Sequence, residues 1–107
     1  MQQQEQVFQA VEQPATFDGN INEWLSANIR YPATAAEACI QGRVVVSILI
    51  EKDGSISTVA VMRGVDKDLD KEAVRVVKSM PKWNPGKNNG VPVRSYFILP
   101  VTFRLKN

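Results

Sequence analysis

The clearest hydrophobic pattern of the chain lies in its last third. Between positions 93 and 105 apolar and polar residues alternate, which is typical of a β-strand with one buried face. The residues predicted to face the core are Val93, Phe97, Leu99, Val101, Phe103 and Leu105. The residues predicted to face away from it are Arg94, Tyr96, Ile98, Pro100, Thr102 and Arg104. Because Pro100 has no N–H group to donate to a neighbour, the pattern predicts a strand at the edge of a sheet.

Two more strands are predicted near the middle of the chain. Positions 43–52 carry valine, isoleucine and leucine on both faces, which indicates a central strand with at least partial cover on each side. The dipeptide Asp53-Gly54 follows, and it favours a two-residue type I′ hairpin. Positions 56–63 are then predicted as the returning strand.

Two short helices are predicted before these strands. Asn20 is suited to cap the first helix, because a glutamate follows three residues later. This helix must end before Pro32, since the residue preceding a proline is disfavoured in the α conformation. Thr34 and Glu37 form a capping box that predicts the second helix, and Gly42 is expected to end that region.

A longer helix is predicted after the hairpin. Asp66 is suited to open it, several acidic residues lie near its positive end, and Pro81 closes it. Its apolar positions recur at helical spacing, which predicts one buried stripe. That stripe comprises Leu69, Ala73, Val76, Val77 and Met80.

The order of these elements predicts an α+β fold. A three-stranded antiparallel sheet in the spatial order 2-1-3 places the most apolar strand in the centre and the proline-containing strand at the edge. The long helix is expected to pack on one face of this sheet. That face is expected to carry Val44, Val46, Ile48, Phe97 and Val101. Residues 1–15 are predicted to be a flexible linker remnant, and residues 16–107 to be a single domain.

The composition excludes several classes of function. The 107 residues suit one domain with a modest core, and the net charge of +2 comes from scattered lysines and arginines. No nucleic-acid partner is therefore expected. The chain has no histidine, which removes the common nucleophile–base pairs and most zinc sites, so no enzyme, metal or cofactor is expected. Cys39, the single cysteine, is expected to be a small buried side chain.

Several landmarks, in their order and spacing, resemble the C-terminal domain of TonB, the energy transducer of Gram-negative envelopes. They are Tyr31-Pro32, Gly42 before the central strand, Asp53-Gly54, the helix at 69–80, Trp83-Asn84-Pro85-Gly86 and the closing aromatic strand. The resemblance extends from about Thr16 to Leu105. The amino-acid sequence of this stretch is most similar to TonB-type domains from Bacteroidetes.

This resemblance implies a location and a set of partners. A transducer of this family is anchored in the inner membrane, by a segment absent from this chain, and holds this domain in the periplasm. The domain binds the TonB box, a short segment of TonB-dependent outer-membrane receptors, as an added strand, and passes on force from a proton-driven inner-membrane motor complex. The residues expected to contact that segment are Arg94, Tyr96, Ile98, Pro100, Thr102 and Arg104. Tyr31 and Pro32 are candidates for accessory recognition, although packing of the Tyr31 ring is the favoured interpretation.

Other interpretations of the same residues stay open. The edge strand could serve only to protect itself from aggregation, with Arg94, Arg104 and Lys106 as gatekeepers, or it could form a homodimer with a second copy. The parent protein could also be a non-transducing envelope protein, such as a membrane sensor peptidase that carries a TonB-like domain. Trp83 is expected to fill the core beneath the sheet rather than to contact a ligand.

Overall fold

The structure is a computed structural model that describes residues 6–106. Its helices are α1 (Ile21–Asn28), α2 (Ala33–Glu37) and α3 (Lys67–Lys78). Its strands are β1 (Val7–Phe8), β2 (Gly42–Ile50), β3 (Ile56–Arg63), β4 (Lys87–Asn88), β5 (Val91–Pro92) and β6 (Arg94–Phe103). None of the helices in this range has the length and apolar content that a bilayer span needs. The glutamine-rich positions 2–5, assigned above to a linker, lie outside the described residues.

The main sheet has four strands in the order β1-β6-β2-β3. β2 pairs in antiparallel fashion with β3 on one side and with β6 on the other, which confirms the α+β class and the predicted order of the three long strands. The prediction of three strands was wrong, because β1 adds a fourth strand, parallel to the start of β6. A two-residue strand has no periodicity of its own, so the sequence pattern could not indicate it.

The segment that precedes α1 is attached to the loop that follows α3. Gln13 and Lys87 exchange two backbone hydrogen bonds of 3.0 and 2.9 Å. Thr16 and Asn84 exchange two more, of 3.0 and 2.8 Å. The described part of the expected linker therefore lies against the domain, which the sequence did not predict.

One face of the sheet carries the core, and α3 packs over it as predicted. Opposite residues of β2 and β6 point to this face together, for example Val44 with Val101 and Val46 with Leu99. The buried members of this core are Ala15, Leu25, Ala35, Val44, Val46, Ile48, Ile50, Leu69, Ala73, Val76, Val77, Trp83, Leu99, Val101 and Phe103. Phe97 and Met80, also predicted to face the core, are half-buried against it.

The loop between β2 and β3 differs from the predicted two-residue turn. The N–H of Glu51 donates to the carbonyl of Ser55 at 2.8 Å, and the N–H of Gly54 donates to the carbonyl of Glu51 at 2.9 Å. The loop therefore has three residues, with Gly54 at a φ of +90°. The carbonyl of Gly54 accepts a hydrogen bond from the backbone N–H of Trp83. This tertiary contact favours the three-residue loop over the predicted two-residue turn.

A two-residue turn of the predicted kind occurs elsewhere. Asn89 and Gly90 join β4 to β5 with φ angles of +51° and +75°. Positive φ at both central residues is the feature that defines a type I′ turn. The segment between α3 and β6 thus contains a small hairpin.

α2 begins differently from the prediction. Pro32 is its N-cap residue and makes no side-chain capping bond. Thr34, predicted to cap the helix, lies inside it, and its hydroxyl donates to a carboxylate oxygen of Asp68 at 2.7 Å. Because Pro32 already fixes an extended residue before the helix, the capping box at 34–37 is not needed to start it.

α2 also ends differently, and its end determines the position of the cysteine. The N–H of Ile40 donates to the carbonyl of Ala35, and the N–H of Cys39 donates to the carbonyl of Ala36. These two bonds form a Schellman motif, with Cys39 in the left-handed position at a φ of +56°. The helix therefore ends at Glu37, with Cys39 as the left-handed residue that follows its C-cap, and not at Gly42. Cys39 is exposed, so the prediction of a buried cysteine was wrong.

Candidate functional site at the edge of the sheet

The outer edge of β6 is set by the alternation of its backbone hydrogen bonds. Pro100 lies opposite Val45 of β2 and cannot donate, so this pair is a non-hydrogen-bonded one. The odd-numbered residues of β6 therefore direct their backbone N–H and C=O groups toward β2. The N–H of Leu105, which donates to the side-chain oxygen of Gln41 at 2.6 Å, follows the same alternation. The even-numbered residues direct their N–H and C=O groups to the outer edge.

β1 covers the first part of this edge. It runs parallel to β6 with Phe8 opposite Ser95. Because the outward groups belong to even-numbered residues, the backbone of Phe8 bonds to the two residues that flank Ser95, namely Arg94 and Tyr96. Residues 98–103 have no strand partner on their outer side within the described chain. We call these residues the free edge.

The free edge offers a defined set of backbone groups. The N–H groups of Ile98 and Thr102 and the carbonyls of Ile98, Pro100 and Thr102 point outward. Pro100 leaves a gap between the two donors, which are about 14 Å apart at about 3.4 Å per residue. Ile98 is 53% exposed, so an apolar side chain stands beside these groups. The arrangement can bind an extended peptide as an added strand, and the gap at Pro100 limits the register of that strand.

Arg94, predicted to contact a ligand, has another partner in the structure. Its guanidinium Nε lies 2.7 Å from Oε1 of Glu51, and its Nη2 lies 3.2 Å from Oε2. The hydrogen bond from Arg94 is the main reason that the pKa of Glu51 is lowered, and a bond from Ser57 adds to it. Arg94 therefore joins the start of β6 to the end of β2, outside the free edge.

A cleft of about 640 Å³ lies beside the C-terminal end of the free edge. Asn22, Leu25, Ser26 and Ile29 line it on the side of α1, and Tyr31, Thr102, Phe103, Arg104 and Lys106 line the remainder. The structure thus brings Tyr31 next to Thr102 and Arg104, three residues that the sequence analysis singled out separately. Pro32 is not part of the lining.

Tyr31 also has a structural role at this position. Its ring packs edge-on against Phe103 with centroids 5.7 Å apart, and its hydroxyl donates to the carbonyl of Ile40. Burial raises the pKa of Tyr31 above its ordinary value, and Cys39 adds to this effect. The favoured interpretation, packing of the ring, is confirmed. A contact of Tyr31 with a ligand stays a prediction.

A buried carboxylate holds the segment between α1 and Tyr31 in place. Glu72 of α3 is 8% exposed and accepts hydrogen bonds from the backbone N–H of Arg30 at 2.7 Å and from Arg75 Nε at 2.6 Å. Arg75 also donates to the carbonyl of Asn28 at 3.1 Å. Burial acts to raise the pKa of Glu72, but the bonds from Arg75 and from the Arg30 backbone outweigh it, so the pKa lies below its ordinary value. The sequence pattern gave no signal for this contact.

An aromatic cluster anchors the turn that precedes β6. Trp83 is 3% exposed and packs against Phe17 and Phe97 with ring centroids 5.6 and 4.9 Å apart. The prediction that Trp83 fills the core is confirmed. Its indole Nε1 is buried and has no hydrogen-bond partner among the described residues.

The site presents groups for hydrogen bonding and for charge interactions. Between residues 6 and 106 there is no group of three or more histidine, cysteine, aspartate or glutamate side chains that could hold a metal ion. The free edge presents main-chain groups, and the cleft presents an arginine and a lysine. Such groups suit an extended peptide.

Comparisons with known proteins agree with this architecture. The family described as Gram-negative bacterial TonB protein C-terminal matches residues 27–105. The NMR solution structure of Helicobacter pylori TonB-CTD, residues 194–285, is 27% identical with a TM-score of 0.63, over 81% of this chain and 91% of that chain. A longer form, residues 179–285, gives 27% identity and a TM-score of 0.62, over 81% of this chain and 78% of that one. No curated protein matches. Because the family match covers well over half of its length, the chain belongs to the Gram-negative TonB C-terminal family.

Proposed function

We propose that this chain is the periplasmic domain of a TonB-type energy transducer that binds the TonB box of outer-membrane receptors by strand addition. The observation that supports this most directly is the free edge at 98–103, whose outward groups lack a strand partner within the described chain. Each main-chain hydrogen bond to an added strand contributes about 0.5–1.5 kcal/mol net. A few such bonds suit a partner that must bind reversibly.

Each candidate residue has a role in this binding mode. Ile98, Pro100, Thr102 and Arg104 contact the receptor segment, because they lie along or just beyond the free edge. Tyr96 marks the junction with β1, and Arg94 stabilises the start of the strand through its ion pair with Glu51. Tyr31 and Pro32 form the far end of the recognition surface, at the cleft and at the start of α2.

The other parts of the transducer supply its membrane attachment and its force. Residues 1–15 connect the domain at 16–107 to an inner-membrane anchor, and β1 is where this connection first meets the sheet. A proton-driven inner-membrane motor complex supplies the force, which the bound receptor uses for nutrient uptake. The parent is a Bacteroidetes-type TonB. The domain acts by binding, with no catalytic turnover and no cofactor.

A titration followed by NMR tests the binding mode. The ¹⁵N-labelled chain is titrated with peptides copied from the N-terminal segments of TonB-dependent receptors of the same organism. The amide shifts should be largest for Ile98 and Thr102, which point to the edge, and smaller for Leu99 and Val101, which face β2. Shifts that cluster on α3 (67–78) would contradict the proposal. Shifts of the free edge that depend on protein concentration without peptide would indicate a homodimer instead.

A further inference from the structure

The cleft beside the free edge has a charge pattern that strand addition does not use. Arg104 and Lys106 lie on its sheet side, are exposed, and form no ion pair with a described carboxylate. Among residues 6–106, no aspartate or glutamate lines the cleft, and its polar residues on α1 are Asn22 and Ser26, which carry no charge. The rim therefore carries two positive charges without a counterion from the cleft.

The floor of the same cleft is apolar. Leu25 and Phe103 are 4% and 2% exposed, and Ile29 and Tyr31 are half-buried beside them. An aliphatic stem with an anionic end would satisfy both parts, because the stem can cover the floor while the charge reaches the rim. A glutamate or aspartate side chain has this shape.

The cleft lies where a strand added along the free edge would continue. An added strand lies about 4.8 Å from β6, and its residues follow β6 at about 3.4 Å each. A partner strand paired along residues 98–102 therefore leads directly to the cleft, because Thr102 belongs to both surfaces. The next residues of the partner reach Arg104 without a change of direction.

We propose that this cleft is a subsite for an acidic side chain of the partner peptide, placed just beyond the residues that pair with β6. The inference rests on the proposed strand addition and adds a requirement for a carboxylate at one end of the partner segment. Arg104 and Lys106 bind the carboxylate, and Leu25 and Phe103 support its stem. Because both cations are exposed, the attraction is modest and decreases with salt.

Matched synthetic peptides test the subsite. Each has six alternating threonine and valine residues, which pair through the main chain, and one terminal residue that is either glutamate or glutamine. The variable residue follows the strand in one pair of peptides and precedes it in a second pair, so that either running direction is covered. Binding is measured by ¹⁵N chemical shifts of the full chain at low and high salt. In one of the two pairs the glutamate peptide should bind about three- to tenfold more tightly at low salt, and the difference should shrink at high salt.

Substitutions in the protein identify the residues responsible. The double variant Arg104→Gln and Lys106→Gln should remove the preference, so that the glutamate and glutamine peptides bind this variant with equal affinity. The matched control, Arg63→Gln with Lys71→Gln, removes two exposed cations of the same types from β3 and α3 and should keep the preference. Loss of the preference in the control would indicate a general charge effect and overturn the subsite.

The remaining outcomes separate this inference from the proposed function. Equal affinity for glutamate and glutamine peptides, with shifts at Ile98 and Thr102, would overturn the subsite and leave strand addition intact. If neither peptide shifts the cleft or the free edge while receptor-derived peptides do, the subsite for a strand-linked carboxylate is also overturned. Sedimentation that detects a dimer of the free chain, abolished by the double variant, would mean that the cleft takes a second copy instead.

Discussion

The carbonyl of Gly54 accepts a hydrogen bond of 2.8 Å from the backbone N–H of Trp83, which ties the β2–β3 loop to the turn that precedes β6. The backbones approach so closely that a Cβ atom on residue 54 would lie 1.8 Å from the carbonyl oxygen of Trp83. Gly54 also has a φ of +90°, which side chains disfavour. Glycine is required here for two separate reasons.

Gly54→Ala should destabilise the fold by about 2–5 kcal/mol, because the strain of a positive φ adds to a backbone clash. Gly90→Ala is the matched control, since Gly90 has a φ of +75° but no atom within 4 Å of its Cβ position. That variant should lose only about 1 kcal/mol. Urea unfolding of both variants measures the two losses, and equal losses would show that the close approach at Trp83 is not the cause.

Glu72→Gln should destabilise the fold by about 1–3 kcal/mol at pH 7, because a neutral amide is a weaker acceptor for Arg75 and for the Arg30 backbone. The pKa of Glu72 is lowered below its usual 4.5 in the folded state. The stabilisation by the carboxylate is therefore complete above that pH and is lost as the pH falls through the lowered folded value.

The measurement for Glu72 is urea unfolding of wild type and variant between pH 3 and pH 7. The difference between them isolates Glu72, since Glu51 also has a lowered pKa and Asp53 has one of about 2. Glu37→Gln, an exposed position, should change stability by less than about 0.5 kcal/mol at any pH. A difference between wild type and Glu72→Gln that stays constant down to pH 3 would argue against the ionised carboxylate as the source.

Ile98→Pro should weaken binding of a receptor-derived peptide about two- to tenfold relative to Ile98→Ala, because it removes one outward donor. The fold should tolerate this proline, since the N–H of residue 98 does not pair with β2. Leu99→Pro is the contrast: its N–H faces β2, so the variant should unfold or lose several kcal/mol. Titrations of the position-98 variants give the affinities. Equal binding by proline and alanine would exclude a main-chain bond at this position.

Truncation of residues 1–10 should expose the amide of Tyr96 to hydrogen exchange. That amide bonds to β1 in the full chain, because it is one of the two outward groups opposite Phe8. Leu99, which faces β2, should stay protected in both forms, and Ile98 should exchange rapidly in both. Protection of Tyr96 that survives the truncation would mean that β1 is not its partner.

Cys39→Gly should stabilise the fold by about 0.5–1 kcal/mol, because glycine adopts the left-handed φ of +56° that ends α2 without steric penalty. Cys39→Ala removes the thiol but keeps the Cβ atom, so it should give no such gain. Thermal unfolding measures both variants. A gain in the alanine variant as large as in the glycine variant would show that the thiol, rather than the backbone, is responsible.

The long elements could be predicted because each buries one face over many residues. Periodicity was sufficient for β2, β3, β6 and α3. The prediction of an edge strand from Pro100 is correct only for the part of β6 that contains Pro100, because β6 as a whole lies between β1 and β2. The free edge follows from the periodicity and from Pro100. The pairing of β1 with the start of β6 could not be predicted, because it is made through backbone bonds that depend little on sequence.

The residues typical of turns were less informative about the fold, because the same dipeptide pattern occurs at more than one place in the chain. Asp53-Gly54 and Asn89-Gly90 both have the composition of a type I′ turn, but only the second pair forms one. Similarly, Cys39 ends α2 where a glycine is usual. The cleft could not be predicted at all, because its two sides are far apart in the sequence and meet only when α1 packs beside the end of β6.

The attachment of β1 to β6 has a mechanical consequence. A pull on the chain at residue 6 arrives first at β1, before it can reach the bonds between Gln13 and Lys87. From β1 the tension passes sideways into β6, the strand that carries the free edge, through backbone bonds within one layer. The packing of α3 on the sheet lies outside this direct path.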